Sequence, residues 1–186
     1  MNLDDLRNDC AVKQKRGLHF ILSSVLIWIA VSVIHMTSMP ILTKNLLTFC
    51  STAPLLPLAF LVSKVIKADF HGNGNPLTKL GMLFSLNQML YLLIVMWVYP
   101  TVPDKMLMVL SMIFGAHLLP YGWLYKSRSY TFFAVVIPVI SLIIGVFFEP
   151  YILALSMVAI ELFFSFCLVM ENLKNPLKTD TGHVQL

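Results

Sequence analysis

Four side chains lie where their chemistry is costly. Glu161 falls in the middle of the apolar run Tyr151–Met170, His117 within Met106–Leu124, and the pair Asn87-Gln88 within Leu80–Val98. A carboxylate or an unpaired amide surrounded by hydrocarbon loses its water without compensation, so each needs a protein partner or a solvated cavity. Helical rise puts Asn87 and Gln88 roughly 10–12 Å from the start of their run, His117 roughly 16 Å into its own and Glu161 roughly 15 Å into the last. The four share a plane within a few ångströms, which predicts a polar patch at mid-depth. Glu161 with His117 is the pair expected to act. Such a pair can exchange a proton near neutral pH, as a coupled carrier requires. The structural alternative is a hydrogen bond fastening two helices.

Spacing adds detail. Asn87 and Tyr91 are four apart and share a helix face, whereas Gln88 is turned by about 100°. Glu161 and Ser165 are likewise one turn apart. A stripe this sparse suits a narrow ligand or proton-coupling site built from Glu161, His117, Asn87, Gln88 and Tyr91, not a wide aqueous pore. His35 is expected toward the outer end of the first span, while His19 and His71 are expected to face solvent. No HExxH, GxSxG or closely spaced acidic metal motif occurs, so catalysis is disfavoured and no metal or cofactor is expected.

The elements that must hold these groups follow from composition. Of 186 residues, 58% are hydrophobic and 12% charged, with a mean hydropathy of +0.82. A water-soluble domain carries about 25% charged residues, so most of this surface is expected to meet lipid. Six apolar stretches can be drawn: Leu18–Met39, Leu46–Val62, Leu80–Val98, Met106–Leu124, Tyr130–Phe148 and Tyr151–Met170. About 20 helical residues cross a hydrocarbon core of roughly 30 Å. The fold class is therefore all-α, a bundle of six transmembrane helices. Residues 1–17 are expected as an N-terminal tail, 18–170 as the membrane domain and 171–186 as a C-terminal tail. Leu18–Met39 is too long for the apolar core of a cleaved signal peptide, so it is read as a retained span.

Charge orients the bundle. Arg7, Lys13, Lys15, Arg16, Lys64, Lys67, Lys79, Lys126, Arg128, Lys174 and Lys178 fall on one set of connections, and only Lys44 and Lys105 on the other. Eleven against two predicts both termini in the cytoplasm of a cell whose plasma membrane the chain crosses several times. No continuous basic face suggests nucleic acid. The expected partners are the bilayer, further copies of the chain, or a larger membrane complex. Cys10, Cys50 and Cys167 have no CxxC spacing, which argues against a structural disulfide or closed zinc site. Pro54 and Pro57 in the second stretch and Pro138 in the fifth are candidate helix breaks, because each removes an amide donor. A broken helix beside a midplane site is a common transporter arrangement. Ser111/Gly115 and Ser141/Gly145 are small residues four apart, which permit close helix approach.

The segments Lys44-Asn45-Leu46-Leu47-Thr48-Phe49, Asn87-Gln88-Met89-Leu90-Tyr91 and Phe114-Gly115-Ala116-His117-Leu118-Leu119-Pro120-Tyr121 carry a resemblance. In them, and over nearly its whole length, the chain resembles a family of small bacterial integral membrane proteins of unknown function. That resemblance implies a bacterial plasma membrane and supplies no substrate. In size and helix number the chain is also similar to the six-helix substrate-capturing subunits of vitamin uptake transporters, an architectural likeness without a matching binding motif. The leading functional expectation is a small transporter or transporter subunit with a mid-membrane polar site. The alternative is a non-transporting accessory or sensory protein that packs against another membrane component.

Overall fold

Apolar length and proline position decide the elements. The computed structural model describes residues 2–70, 72 and 74–174. Among these the chain forms α1 (Leu3–Lys13), α2 (Leu18–Met36), α3 (Ile41–Thr52), α4 (Leu55–Ile66), α5 (Leu77–Thr101), α6 (Met106–Ala116), α7 (Leu119–Leu124), α8 (Arg128–Phe147) and α9 (Pro150–Lys174). Five stretches are long and apolar enough to cross a membrane: Lys15–Met36, Leu77–Thr101, Pro103–Leu124, Arg128–Phe147 and Pro150–Lys174. A sixth, α3 with α4, qualifies only as a pair bent by 44°. The chain is a polytopic α-helical membrane protein.

The expected tail before the first span is a folded helix. Asn2 caps α1 by accepting from the Asp5 amide at 2.8 Å, and the Asp5 carboxylate accepts from the Asn2 amide at 2.9 Å. This reciprocal box satisfies donors that a helix start leaves free, and Asp4 and Asp5 complement its positive end. Asp4 and Asp5 thus lie in the first turn of a helix. The chain then reverses through Lys15, Arg16 and Gly17, all with positive φ. At Gly17 a Cβ would come within 2.9 Å of the Tyr130 hydroxyl, so a side chain is excluded there by space as well as by conformation.

The prolines act differently from one another. Pro54 caps α4 at the break between α3 and α4, and Pro57 sits in the first turn of α4, where no intrahelical amide bond is lost. Pro138 lies inside α8, which runs through it unbroken. Its ring packs beside Gly115 of α6, where a Cβ would lie 2.5 Å from Pro138 Cδ and 2.6 Å from Ile137 Cγ2. Ser111, Gly115, Ser141 and Gly145 are all buried along the contact between α6 and α8. The small-residue spacing therefore marks an internal helix contact, as its geometry predicts.

α2 is the hub of the bundle, packing along α9 on one side and α4 on the other, while α8 lies against α6, α7 and α9. Hydrogen bonds gather the helix ends into two layers. In one, Lys15 Nζ reaches the Ile66 carbonyl at 2.5 Å, Gln14 Nε2 reaches Thr78 at 3.3 Å, and Arg16 donates to Asn172 at 2.7 Å. In the other, Asn45 Nδ2 donates to the Pro103 carbonyl at 2.8 Å and Lys105 Nζ to the Gly145 carbonyl at 2.7 Å. The start of α2 and the end of α9 thus share one end of the bundle. The bent pair α3–α4 leads from one layer to the other.

Candidate functional site

Glu161 is fully buried at the α2–α9 seam. Helical spacing sets Ala154, Met157, Glu161, Ser165 and Leu168 on the buried face of α9. Ser24 of α2 donates to Glu161 Oε2. The same Ser24 hydroxyl lies 2.8 Å from the Ile21 carbonyl, an acceptor within its own helix. Glu161 Oε1 and the Ser165 hydroxyl have no hydrogen-bond partner among the described residues.

The expected Glu161–His117 pair does not form a hydrogen bond or an ion pair. His117 lies at the break between α6 and α7, not in the middle of a continuous helix. Pro120 has no amide to continue the ladder, and the Leu118 amide turns to Gly115 at 3.1 Å. That leaves the Phe114 carbonyl free, and His117 Nδ1 donates to it at 2.5 Å. The imidazole therefore repairs the backbone at a kink, held between the rings of Phe114 and Tyr121.

The amides expected beside this pair face the other way. Asn87 and Tyr91 are exposed on α5 and Gln88 is half-buried. Asn87 Nδ2 donates to the Tyr91 hydroxyl at 3.0 Å, as their four-residue spacing predicts. Gln88 has no side-chain hydrogen bond among the described residues. The candidate residues thus occupy three separate places: a closed seam, a repaired kink and an outward helix face. An open surface depression of about 410 Å³ lined by Gly122, Lys126, Ser127, Arg128, Thr131 and Phe132 includes none of them. Among the described residues, no three His, Cys, Asp or Glu side chains gather to hold a metal ion.

The model of one sequence family matches residues 3–171. The chain belongs to DUF7010, a family of unknown function. No curated protein and no solved structure matches it.

One multiply hydrogen-bonded carboxylate of this DUF7010 chain was not among the expected residues. Glu171 accepts from Ser127 Oγ at 2.6 Å, Ser129 N at 2.9 Å and Ser129 Oγ at 2.8 Å, and stands 3.7 Å from Arg16 Nε. The carboxylate caps the start of α8, where freed amides and the helix dipole favour negative charge. Arg16 and Asn172 complete the clasp, with Asn172 Nδ2 returning to the Lys15 carbonyl at 3.0 Å. In sequence, Glu171 looked like the first residue of a solvated tail. An acid placed just beyond one apolar run, with a basic residue just before another, is the signal that would have found it.

α1 closes the same end. Arg7 stacks over Trp123 at 4.5 Å and donates to its carbonyl, while Asn75 bridges Asp9 and the Leu6 carbonyl. Burial pushes the Asp9 carboxyl up, but hydrogen bonds from Lys13 and Asn75 outweigh it and hold the group below its ordinary value. Burial pushes the Cys10 thiol up to about 11, with the Thr78 hydroxyl opposing, so Cys10 is a packed side chain rather than a ready nucleophile. Burial also raises the Tyr125 phenol well above its ordinary value, and Tyr125 donates to Gln14 Oε1 at 2.8 Å. His19 is buried against Phe20 and Phe70 rather than solvent-facing, and neither ring nitrogen has a hydrogen-bond partner among the described residues. His35 is buried with Nε2 3.2 Å from Thr48 Oγ1. His71 and the tail residues 175–186 lie outside the described residues.

Proposed function

We propose that this DUF7010 chain is a non-transporting accessory or sensory membrane protein that works by packing α5 against another membrane-embedded helix. One observation carries the reading. α5 buries only Val95 and Val98 fully, yet exposes Asn87 and Tyr91 partway along its apolar length. Amides facing hydrocarbon cost free energy that a neighbouring polar helix restores. The reading includes a bacterial plasma membrane, six crossings with α3–α4 as one bent span, and the α1 end in the cytoplasm. The basic residues of that end, from Arg7 to Lys174, support this orientation. Reporter fusions at residue 186 and within residues 72–75 should both score cytoplasmic, and an external signal at either would overturn it. Purification from native membrane in mild detergent should recover an associated protein at near-stoichiometric yield, lost on Asn87→Leu. Recovery only as a lone monomer would sink the association reading.

A second reading, a proton- or cation-coupled transporter, is favoured by the unpartnered Glu161 Oε1 and Ser165 hydroxyl one turn apart in the buried seam. Glu161 is closed to both sides here, so carriage would require α2 and α9 to separate. In sealed vesicles, proton-coupled flux that Glu161→Gln abolishes without loss of folding would establish it. Undiminished flux in that variant would remove Glu161 from any coupling role.

A further inference from the structure

Arg128 stands exposed at the start of α8, with no hydrogen-bond or ion-pair partner among the described residues. Arg7, Lys15 and Arg16, at the same end of the bundle, all donate into the fold. Arg128 instead lines the open depression of about 410 Å³ at the α7–α8 turn, together with Lys126, Thr131 and Phe132. Lys126 is also exposed; its one ion pair is with Asp4 at 3.5 Å, and Asp4 is itself 66% exposed. Water screens such a pair, so the lysine charge stays available.

These two cations select an anion. The first-turn amides of α8 are already taken, Ser129 N by Glu171 and Tyr130 N by Ser127 Oγ. Glu171 is itself matched by Ser127, Ser129 and Arg16. An anion in the depression is therefore held by side chains. A guanidinium presents two parallel N–H groups to a phosphate, which a lysine cannot do. Two cations also repel the ammonium of a zwitterionic headgroup.

Position selects a lipid over a soluble phosphate. The membrane-length stretches Pro103–Leu124 and Arg128–Phe147 both end at this turn, which sets the depression at headgroup level. Exposed Trp123 beside it suits the same level. Arg128, Phe132, Val135 and Val139 follow at intervals of four, three and four on one face of α8, and all four are exposed. Charge followed by an apolar stripe is the order of phosphate and acyl chain in a phospholipid. Lys79, Leu83, Leu86 and Leu90 repeat that order on α5. Lys79, however, offers a point charge rather than a fork, and it is no part of the depression.

We propose that the depression at the α7–α8 turn binds the headgroup of an anionic phospholipid, with Arg128 forked on the phosphate, Lys126 beside it and an acyl chain along Phe132, Val135 and Val139. The site contains no α5 residue and does not depend on what α5 packs against.

The test gives the full chain, purified in mild detergent, phosphatidylglycerol or phosphatidylcholine with the same acyl chains. Native mass spectrometry should show one phosphatidylglycerol retained, about fivefold more tightly than phosphatidylcholine. Arg128→Gln should abolish that preference, and Arg128→Lys should restore only part of it. Lys79→Gln removes the same charge from α5 and should leave the preference intact. Should Arg128→Gln melt early without lipid, Lys126→Gln carries the same comparison, again with about a fivefold loss. A phosphatidylglycerol with a photoreactive acyl chain should label residues 132–139. Equal retention of the two lipids, or a preference that survives both Arg128→Gln and Lys126→Gln, overturns the proposal. An equal loss in Lys79→Gln assigns the preference to the general charge of this end, and label confined to other helices moves the lipid elsewhere. Glycerol phosphate that blocks labelling as effectively as the unlabelled lipid makes the ligand a soluble phosphate instead.

Discussion

The α2–α9 seam and the outer face of α5 each carry polar groups partway along an apolar helix, and the two treat them in opposite ways. At the seam Glu161 is walled in and fastened to Ser24, and one end of the seam is closed by the Arg16–Glu171–Asn172 clasp. On α5, Asn87 and Tyr91 satisfy each other once and turn their remaining capacity outward. Inside the bundle, Glu161 gives one oxygen to Ser24 and keeps the other walled off without a partner among the described residues. On α5, Asn87 and Tyr91 keep bonding capacity for something outside the bundle.

That contrast predicts a steep gradient of mutational cost. Glu171→Ala removes three hydrogen bonds and an ion-pair partner from nearly buried Arg16, and should destabilise by about 3 kcal/mol in a thermal melt of purified protein. A loss no larger than that of an exposed-lysine substitution would dissolve the clasp as a structural element. Gly115→Leu comes next, at about 1–3 kcal/mol or loss of folding yield, because Pro138 and Ile137 are stiff neighbours that cannot swing aside. Gly145→Leu should cost less, since the obstructing atoms belong to flexible Met108.

Glu161→Leu is expected to change stability by no more than about 1 kcal/mol, because Ser24 retains the Ile21 carbonyl and a buried acid is exchanged for apolar volume. A much larger loss would mean that the seam depends on the carboxyl itself. Asn87→Leu should leave the melt of the isolated chain within about 0.5 kcal/mol while weakening association. If both fall together, α5 is part of the interior after all.

The smallest effect concerns α1. Asp9 is held below its ordinary value of 3.8 in the folded chain, so its contribution is present above that pH and is lost as the pH falls through the folded value. Hydrogen exchange at residues 3–13 should therefore quicken, relative to the rest of the bundle, only at strongly acidic pH. Asp9→Asn should flatten that dependence.

Span length and the Pro54 break were legible in the sequence because hydropathy and a missing amide act locally. Facing was not. Periodicity tells which residues share a side of a helix, but both sides of a membrane helix are apolar, so nothing in α5 marked Asn87 as outward. His117 could have been read better: Pro120, three residues on, already implied a free carbonyl nearby. Ser24 could not, since serines bonded to their own helix, such as Ser23 and Ser32, look identical in sequence. The helix of residues 3–13 was hidden by its polarity, although Asn2 and Asp5 have the types and spacing of a reciprocal cap.

The partner that α2 packs along most extensively is α9, made from the far end of the chain. During synthesis the first span enters the bilayer long before its principal neighbour exists. Until then Ser24 has only its own Ile21 carbonyl, and Arg16 waits for Glu171. The bundle therefore closes last between its oldest and newest helices, and a ribosome that stops short of residue 171 leaves an opened product.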